Sequence, residues 1–240
     1  MPRLDARLSS ITWSDVVAST RAGTFARRAG ITLAAVLAAL IAYEAWAVMR
    51  ARAHTPAALA AVAVREVRLR DLPRDRIDAL LKVDDPGFYQ HHGLDFSTPG
   101  QGMTTLTQSL VKHMYFKHFH PGFAKIEQDL IARFVLDPAM SKADQLEAFI
   151  NYSYFGHPGG RDVVGFADAA RTYYGRDLGA LNDRQFLSLV AMLNAPDDLD
   201  PRRHAAANAE RVDRIQRLLA GACKPRSWAD VDYPGCAPAR

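Results

Sequence analysis

The chain has 240 residues, 49% of them hydrophobic, with 30 Lys and Arg against 26 Asp and Glu and a formal net charge of +4. The basic residues are spread along the chain and form no stripe with interleaved aromatics, which argues against a nucleic-acid-binding protein. The mild positive balance suits an anionic membrane surface or a phosphate-bearing substrate instead.

The first element is an apolar run. Ala29 to Met49 carries one charge, Glu44, and as a helix it would be about 31 Å long, matching a bilayer's hydrocarbon core. Arg21, Arg27 and Arg28 precede it, and Tyr43 and Trp46 sit near its far end. Positive charge ahead of the run predicts a cytoplasmic tail over 1–28, an anchor over 29–49 and everything after it outside. The rival is a cleaved signal peptide ending near Ala45-Trp46-Ala47; the long leading segment and the long apolar run favour an uncleaved anchor. Residues 50–70, Ala-rich with scattered Arg, read as a connector, 71–220 as one domain of mainly helical character, and 221–240 as a C-terminal tail.

Within the domain, Ile77, Leu80 and Leu81 form one short helical face. Leu106, Leu110 and Val111 form another, with Thr104 and Thr105 as capping candidates. Ile126, Leu130, Phe134 and Val135 continue the spacing. Ser141, with Asp144 three residues on, predicts a helix through Leu146, Phe149 and Ile150. Gly156 to Gly160 breaks the chain into a loop, and helical patterns resume over 163–174, 183–193 and 203–219. Cys223 and Cys236 in the tail could close a short loop in an oxidising compartment or remain surface thiols.

Four constellations carry chemistry. Asp84-Asp85-Pro86-Gly87-Phe88-Tyr89-Gln90-His91-His92-Gly93-Leu94-Asp95 concentrates titratable groups around an apolar anchor. Gly100 to Lys112 runs from a glycine turn into a helix start rich in hydroxyls and amides, a natural anion site. Lys125-Ile126-Glu127-Gln128-Asp129 places Lys125 and Asp129 on one helix face, which also suits a plain surface ion pair. Leu146 to Gly156 and Gly165 to Gly175 carry small residues at helical spacing and read as framework. His113, His118 and His120 do not share one helix face and read as interfacial or solvent-facing rather than as a metal site.

In order and spacing, these segments resemble the family 51 glycosyltransferases over about Leu69 to Leu219. The first family motif, Glu-Asp-x-x-Phe-x-x-His-x-Gly-x-Asp, corresponds to Asp84 to Asp95. The second, Gly-Gly-Ser-Thr-Ile-Thr-Gln-Gln-Leu-x-Lys-Asn, corresponds to Gly102 to His113. Arg-Lys-x-x-Glu corresponds to Lys125 to Asp129, and two downstream signatures correspond to Leu146 to Asn151 and Ala170 to Gly175. The single anchor looks like the monofunctional form of the family. The resemblance implies a lysozyme-like, two-lobed helical domain that polymerises lipid II into β-1,4-linked glycan strands and releases undecaprenyl pyrophosphate. It implies a bacterial inner-membrane protein with a periplasmic domain, working near transpeptidases or divisome and elongasome proteins. Met114 to His120, aromatic and basic, fits either a lipid-touching lobe or a buried packing segment.

By the same resemblance Asp84 matches the catalytic base and Asp129 the second carboxylate, which organises the donor site with a divalent metal, Mg or Mn. Lys112 and Lys125 match cations facing the pyrophosphate. Asp85, Phe88, His91, Gly102, Thr104, Thr105 and Gln108 are the further substrate-binding candidates. The chain departs from the pattern where it matters: Asp84, Asp129 and Asp137 replace Glu, Lys125-Ile126 replaces Arg-Lys, and Ser109 replaces Gln. An aspartate withdraws the carboxylate by about 1.5 Å, and such a misplacement can cost on the order of 100-fold in rate. Three readings follow: an active, divergent polymerase; a member that binds lipid II or scaffolds wall synthesis without turnover; and a glycan-cleaving enzyme of lysozyme type.

Overall fold

The structure, a computed structural model, describes residues 13–237, with side chains from residue 24. The outer part of the expected tail, residues 1–12, the Arg21 side chain and residues 238–240 lie outside the described residues. The chain divides into two compact units, Met1–Ala47 and Val48–Arg240. The first is helical from Trp13, as the start of α1 (Trp13–Ala61). Within α1, Thr24–Ala61 is long and apolar enough to cross a membrane by length and composition, as the low charge of the run requires.

The second unit is mainly helical; among the described residues it has no strand, only an isolated bridge between Tyr154 and Val164. The stretch read as a connector, 50–70, is instead packed into this unit: Ala51, Ala58, Val62 and Val67 are all buried. The Ala-rich composition of the segment did not distinguish this burial from a linker.

α2 (Arg74–Asp84) ends where Asp85 leaves the helical conformation, at φ −151° and ψ 73°, ahead of Pro86, a residue that disfavours helix in its predecessor. α3 (Leu106–Tyr115) opens on Thr105, whose hydroxyl accepts the Gln108 N–H while the Gln108 side chain accepts the Thr105 N–H, a reciprocal cap that satisfies two orphan donors. α4 (Phe123–Ile131) passes through a π-helical turn, Ala132–Leu136, into the short α5 (Asp137–Ala139). α6 (Lys142–Tyr152) starts at Ser141, bonded to the Asp144 N–H as its sequence predicts. α7 (Phe166–Tyr174) begins three residues later than its apolar spacing predicts, because Val164 is held in the bridge and Gly165 takes a positive φ. α8 (Asp183–Met192) and α9 (Ala205–Leu219) complete the set.

α3 packs on α6, α8 on α9, and α2 on both α8 and α9. The core joins Leu106 and Leu110 of α3, Leu146 and Ile150 of α6, and a ring cluster of Phe155, Phe166 and Phe186 with centroids 4.8 and 5.8 Å apart. α4 corrects one expectation. Ile126 and Phe134 face outward, whereas Glu127, Gln128, Ile131, Val135 and Leu136 are buried. The extra residue of the π turn rotates the apolar register partway along, so a single 3.6-residue period cannot describe this stretch.

The glycine at 93 shows how tightly the motifs are set. It has φ +86°, and a Cβ there would lie 2.6 Å from the carbonyl oxygen of Ala132 in the π turn. A side chain at this position would meet both backbone strain and collision.

Candidate active site

Asp84 stands at the last turn of α2 and opens onto two cavities. The larger, about 980 Å³, is lined by Lys112 and His113 of α3, the aromatic and basic segment through His120, and Tyr152 and Tyr154. The smaller, about 490 Å³, is lined by Gly100 to Thr104, Arg211, and Trp228 to Val231. Asp84, Ser109, Lys112, Leu193 and Asn194 border both. Among the described residues no hydrogen bond or ion pair reaches the Asp84 carboxylate. Burial, reinforced by the neighbouring charge of Asp85 and opposed by Arg211, lifts its pKa from 3.8 to about 7.

Asp85, next in the chain, has the opposite fate. It is 0% exposed. It accepts the His91 Nε2–H at 2.9 Å and the backbone N–H of Leu106 at 2.8 Å. The His91 Nδ1 in turn accepts the Gly93 N–H at 3.1 Å, which fixes the ring as the Nε2–H tautomer. One carboxylate thus ties the end of α2, the His-Gly turn and the start of α3 together. Phe88 is buried beside His91, its ring under the Lys142 ammonium at 4.8 Å. Asp85, Phe88 and His91, read from the sequence as substrate contacts, are therefore turned inward and support the site from behind.

The second constellation is used in the same way. The Thr105 hydroxyl donates to the Gly93 carbonyl at 2.7 Å besides capping α3. Gln108 spends its Oε1 on the Thr105 N–H and its Nε2 on Asp129 Oδ1, at 2.6 and 2.5 Å. Both side chains are buried and hold the loop in shape, leaving neither for a phosphate. The Gly102 N–H goes to the Trp228 carbonyl at 2.6 Å, although the residue still borders the smaller cavity. Thr104, half-buried, lines that cavity as expected for a contact residue.

Lys112 is exposed and lines both cavities. Among the described residues it has no carboxylate partner; its ammonium lies 5.3 Å from the Phe119 ring centroid. Burial, and after it the charge of Lys125, holds its pKa below the ordinary lysine value. Lys125 is engaged: its Nζ donates to the Met103 carbonyl, Gln128 Oε1 and Asp129 Oδ1 at 2.9, 3.1 and 3.1 Å. The ion pair expected from the four-residue spacing is thus present. Asp129 sits behind the α3 start and does not border either cavity. Asp137 is likewise internal, bound by Lys142 and Gln145.

The metal expected at Asp129 can be tested against these donors. Its Oδ1 is taken by an ammonium and an amide, and among the described residues no three His, Cys, Asp or Glu converge. The residues present do not fit a protein-held divalent metal, which needs several oxygen donors.

The sequence reading missed the far wall. Cys223 and Cys236 are bonded, with Cα atoms 5.3 Å apart, and the loop between them lies on the glycine turn: Gly100 N–H donates to the Ser227 carbonyl at 2.9 Å. Tyr233 OH donates to the Val83 carbonyl at 2.8 Å, one residue before Asp84. Arg211, 7% exposed, donates to the carbonyls of Ala191 and Val231. The cysteine pair was the available signal; nothing in the spacing said where its loop would dock.

The transglycosylase family model matches residues 55–220. Penicillin-binding protein 1B of Vibrio cholerae is 32% identical over 166 residues, 64% of this chain and 21% of that protein. Penicillin-binding protein 1F of Bacillus subtilis is 29% identical over the same share of this chain and 22% of its own. The chain thus spans about a fifth of the length of these relatives. A putative transglycosylase of Cupriavidus necator is 28% identical over 209 residues, 79% of this chain and 86% of the relative.

Proposed function

The chain belongs to the transglycosylase family, and on that premise we propose that it is a peptidoglycan glycosyltransferase that joins lipid II units into a glycan strand at the outer face of the bacterial inner membrane. The observation that carries the reading is Asp84: a carboxyl with no partner among the described residues, at the junction of two cavities, with a pKa lifted to about 7. A base of that strength is half ionised at neutral pH, where proton abstraction is most effective.

In this reading Asp84 removes the proton from the 4-hydroxyl of the acceptor sugar as that oxygen forms its bond to the donor's anomeric carbon. The bond to the pyrophosphate oxygen breaks on the opposite face, with inversion, and the departing oxygens gain negative charge. Lys112, which borders both cavities, neutralises that charge in this reading. The larger cavity, lined by Lys112, Lys117 and three histidines, suits the anionic lipid-pyrophosphate end. Lys125 acts more indirectly, through Asp129, Gln108 and the α3 cap. The apolar helix Thr24–Ala61 would hold the domain at the membrane, N-terminus inside. Transpeptidases and divisome or elongasome proteins are the partners this activity calls for.

A second reading keeps lipid II binding without turnover. It is favoured by Asp129, whose Oδ1 is held by Lys125 and Gln108 and which does not border the cavities. Labelled lipid II incubated with the detergent-solubilised protein and with Asp84→Asn separates the two. Polymer from the first alone supports the glycosyltransferase. Binding by both without polymer from either leaves the scaffold.

A further inference from the structure

We propose that Asp232, carried by the disulfide-closed segment 223–236, is a positioning residue for the base: it holds the Arg211 guanidinium back from Asp84, so that the Asp84 carboxyl stays free at the junction of the two cavities. That Asp84 acts as a base rests on the glycosyltransferase reading; the arrangement of the charges does not. The segment lies beyond the family match, which ends at residue 220.

Arg211, on α9, is 7% exposed, and a guanidinium so placed must be met by acceptors. Its Nε donates to the Ala191 carbonyl of α8 at 3.2 Å, and its Nη1 to the Val231 carbonyl and to Asp232 Oδ1, each at 3.1 Å. Both Nη1 acceptors belong to the segment. The segment is itself fixed. The Cys223–Cys236 bond closes it, the carbonyls of Ser227 and Trp228 accept the N–H groups of Gly100 and Gly102, and the Tyr233 OH donates to the Val83 carbonyl. Asp232 Oδ1 also accepts the Asn194 amide at 3.2 Å.

Arg211 and Asp84 border the same smaller cavity. The charges of Asp232 and Asp84 both act on Arg211, and among the described residues only Asp232 is bonded to it. Without the Asp232 carboxylate, Arg211 is left with carbonyl acceptors alone, and a buried cation in that state is drawn to the free carboxylate of its cavity. A guanidinium that reaches Asp84 holds it ionised and occupies an oxygen that has to take the sugar's proton. The other titratable groups around Asp84 are Asp85 just after α2, Lys112 of α3 and Tyr233 of the segment, with Lys117, three histidines and Asp162 lining the rest of the larger cavity. Asp85 is committed to His91 and the Leu106 N–H. Arg211 is the cation whose charge already opposes protonation of Asp84.

The test measures polymerisation of labelled lipid II from about pH 4 to 8.5 by the full-length protein in detergent. Wild type is compared with Asp232→Ala, Asp232→Glu, and Asp232→Ala combined with Arg211→Met. The wild-type rate should rise with a midpoint at about 7. Asp232→Ala should lower that midpoint by about one to three units, the effect of a cation reaching a carboxylate, and the plateau rate should fall as the base weakens. Asp232→Glu, which keeps an acceptor for Arg211, should retain the wild-type midpoint. Adding Arg211→Met to Asp232→Ala should return the midpoint to the wild-type value or above it, because the quenching cation is gone. A wild-type midpoint in Asp232→Ala, or a lowered one that survives Arg211→Met, would overturn the positioning role; a residue that only supports the fold changes rate and Tm without moving the midpoint. The midpoint is also read without turnover, from urea unfolding, as the pH dependence of the stability difference between each protein and its Asp84→Asn counterpart. Polymer from the wild type with an unmoved midpoint in Asp232→Ala sinks the positioning role and leaves the proposed function standing; a shifted unfolding midpoint without polymer does the reverse.

Discussion

The pH dependence of turnover is the sharpest consequence of the Asp84 environment. Taking its pKa as about 7, the ionised share climbs from about a tenth at pH 6 to about nine-tenths at pH 8, and the polymerisation rate should rise roughly ninefold with it. The same shift acts on stability. The folded pKa lies above the ordinary 3.8, so the folded state holds the proton more tightly than the unfolded chain. Stability therefore falls as pH rises from about 4 to about 7, and the full cost is present above that window. A rise of this size corresponds to about 4 kcal/mol; Asp84 is half-buried and opens onto the cavities, so screening leaves about 2 kcal/mol. Asp84→Asn should accordingly be inactive yet more stable than wild type at pH 8, with the difference vanishing near pH 4. Initial rates on labelled lipid II from pH 5.5 to 8.5, paired with urea unfolding at the two extremes, measure both. A wild-type rate that stays flat between pH 6 and 8, or an Asn variant no more stable at pH 8, would refute the reasoning.

Four further outcomes are expected. Lys112→Met should lower kcat on the order of 100-fold with a smaller change in KM, because its charge acts on the leaving group; a change confined to KM would assign it to ground-state binding. Asp85→Ala should cost about 3 kcal/mol in urea unfolding, since it strands His91 and the Leu106 N–H. Reducing Cys223–Cys236, a pair 13 residues apart, should cost about 3 kcal/mol and lower Tm. EDTA should leave Tm unchanged, given the donor set at Asp129; a large drop would reveal a structural metal.

Much of this fold was legible because capping and period act locally. Thr105, one of two adjacent capping candidates, opens α3, Ser141 caps α6 with Asp144 three residues on, and α8 falls within its apolar pattern. The site was legible at Asp84, Thr104 and Lys112, which border the cavities, and in the Lys125–Asp129 pair. It was not legible which of two adjacent aspartates faces outward. A helix end can send successive side chains in opposite directions, and that direction is set by partners 6 and 21 residues away, His91 and Leu106. Gln108 and Thr105 were expected to contact substrate as well, because a sequence lists donors and acceptors without saying which are already spent. The π turn after α4 and the docking of 223–236 depend on long-range packing and leave no local period to read.

Gly93 acts as a spacer gauge. The distance between the turn that follows Asp84 and the helix that carries Lys125 and Asp129 is set at Ala132 by the absence of a single carbon atom. Adding that carbon would leave every polar group of the site in place while forcing the two motifs apart. Tolerances of this kind are invisible to an inventory of catalytic residues: a chain could keep Asp84, Lys112 and Asp129 and still lose their registration through an alanine at 93. The aspartates that stand where longer glutamates are expected make the gauge more consequential, because shorter side chains leave less reach with which to absorb such an error.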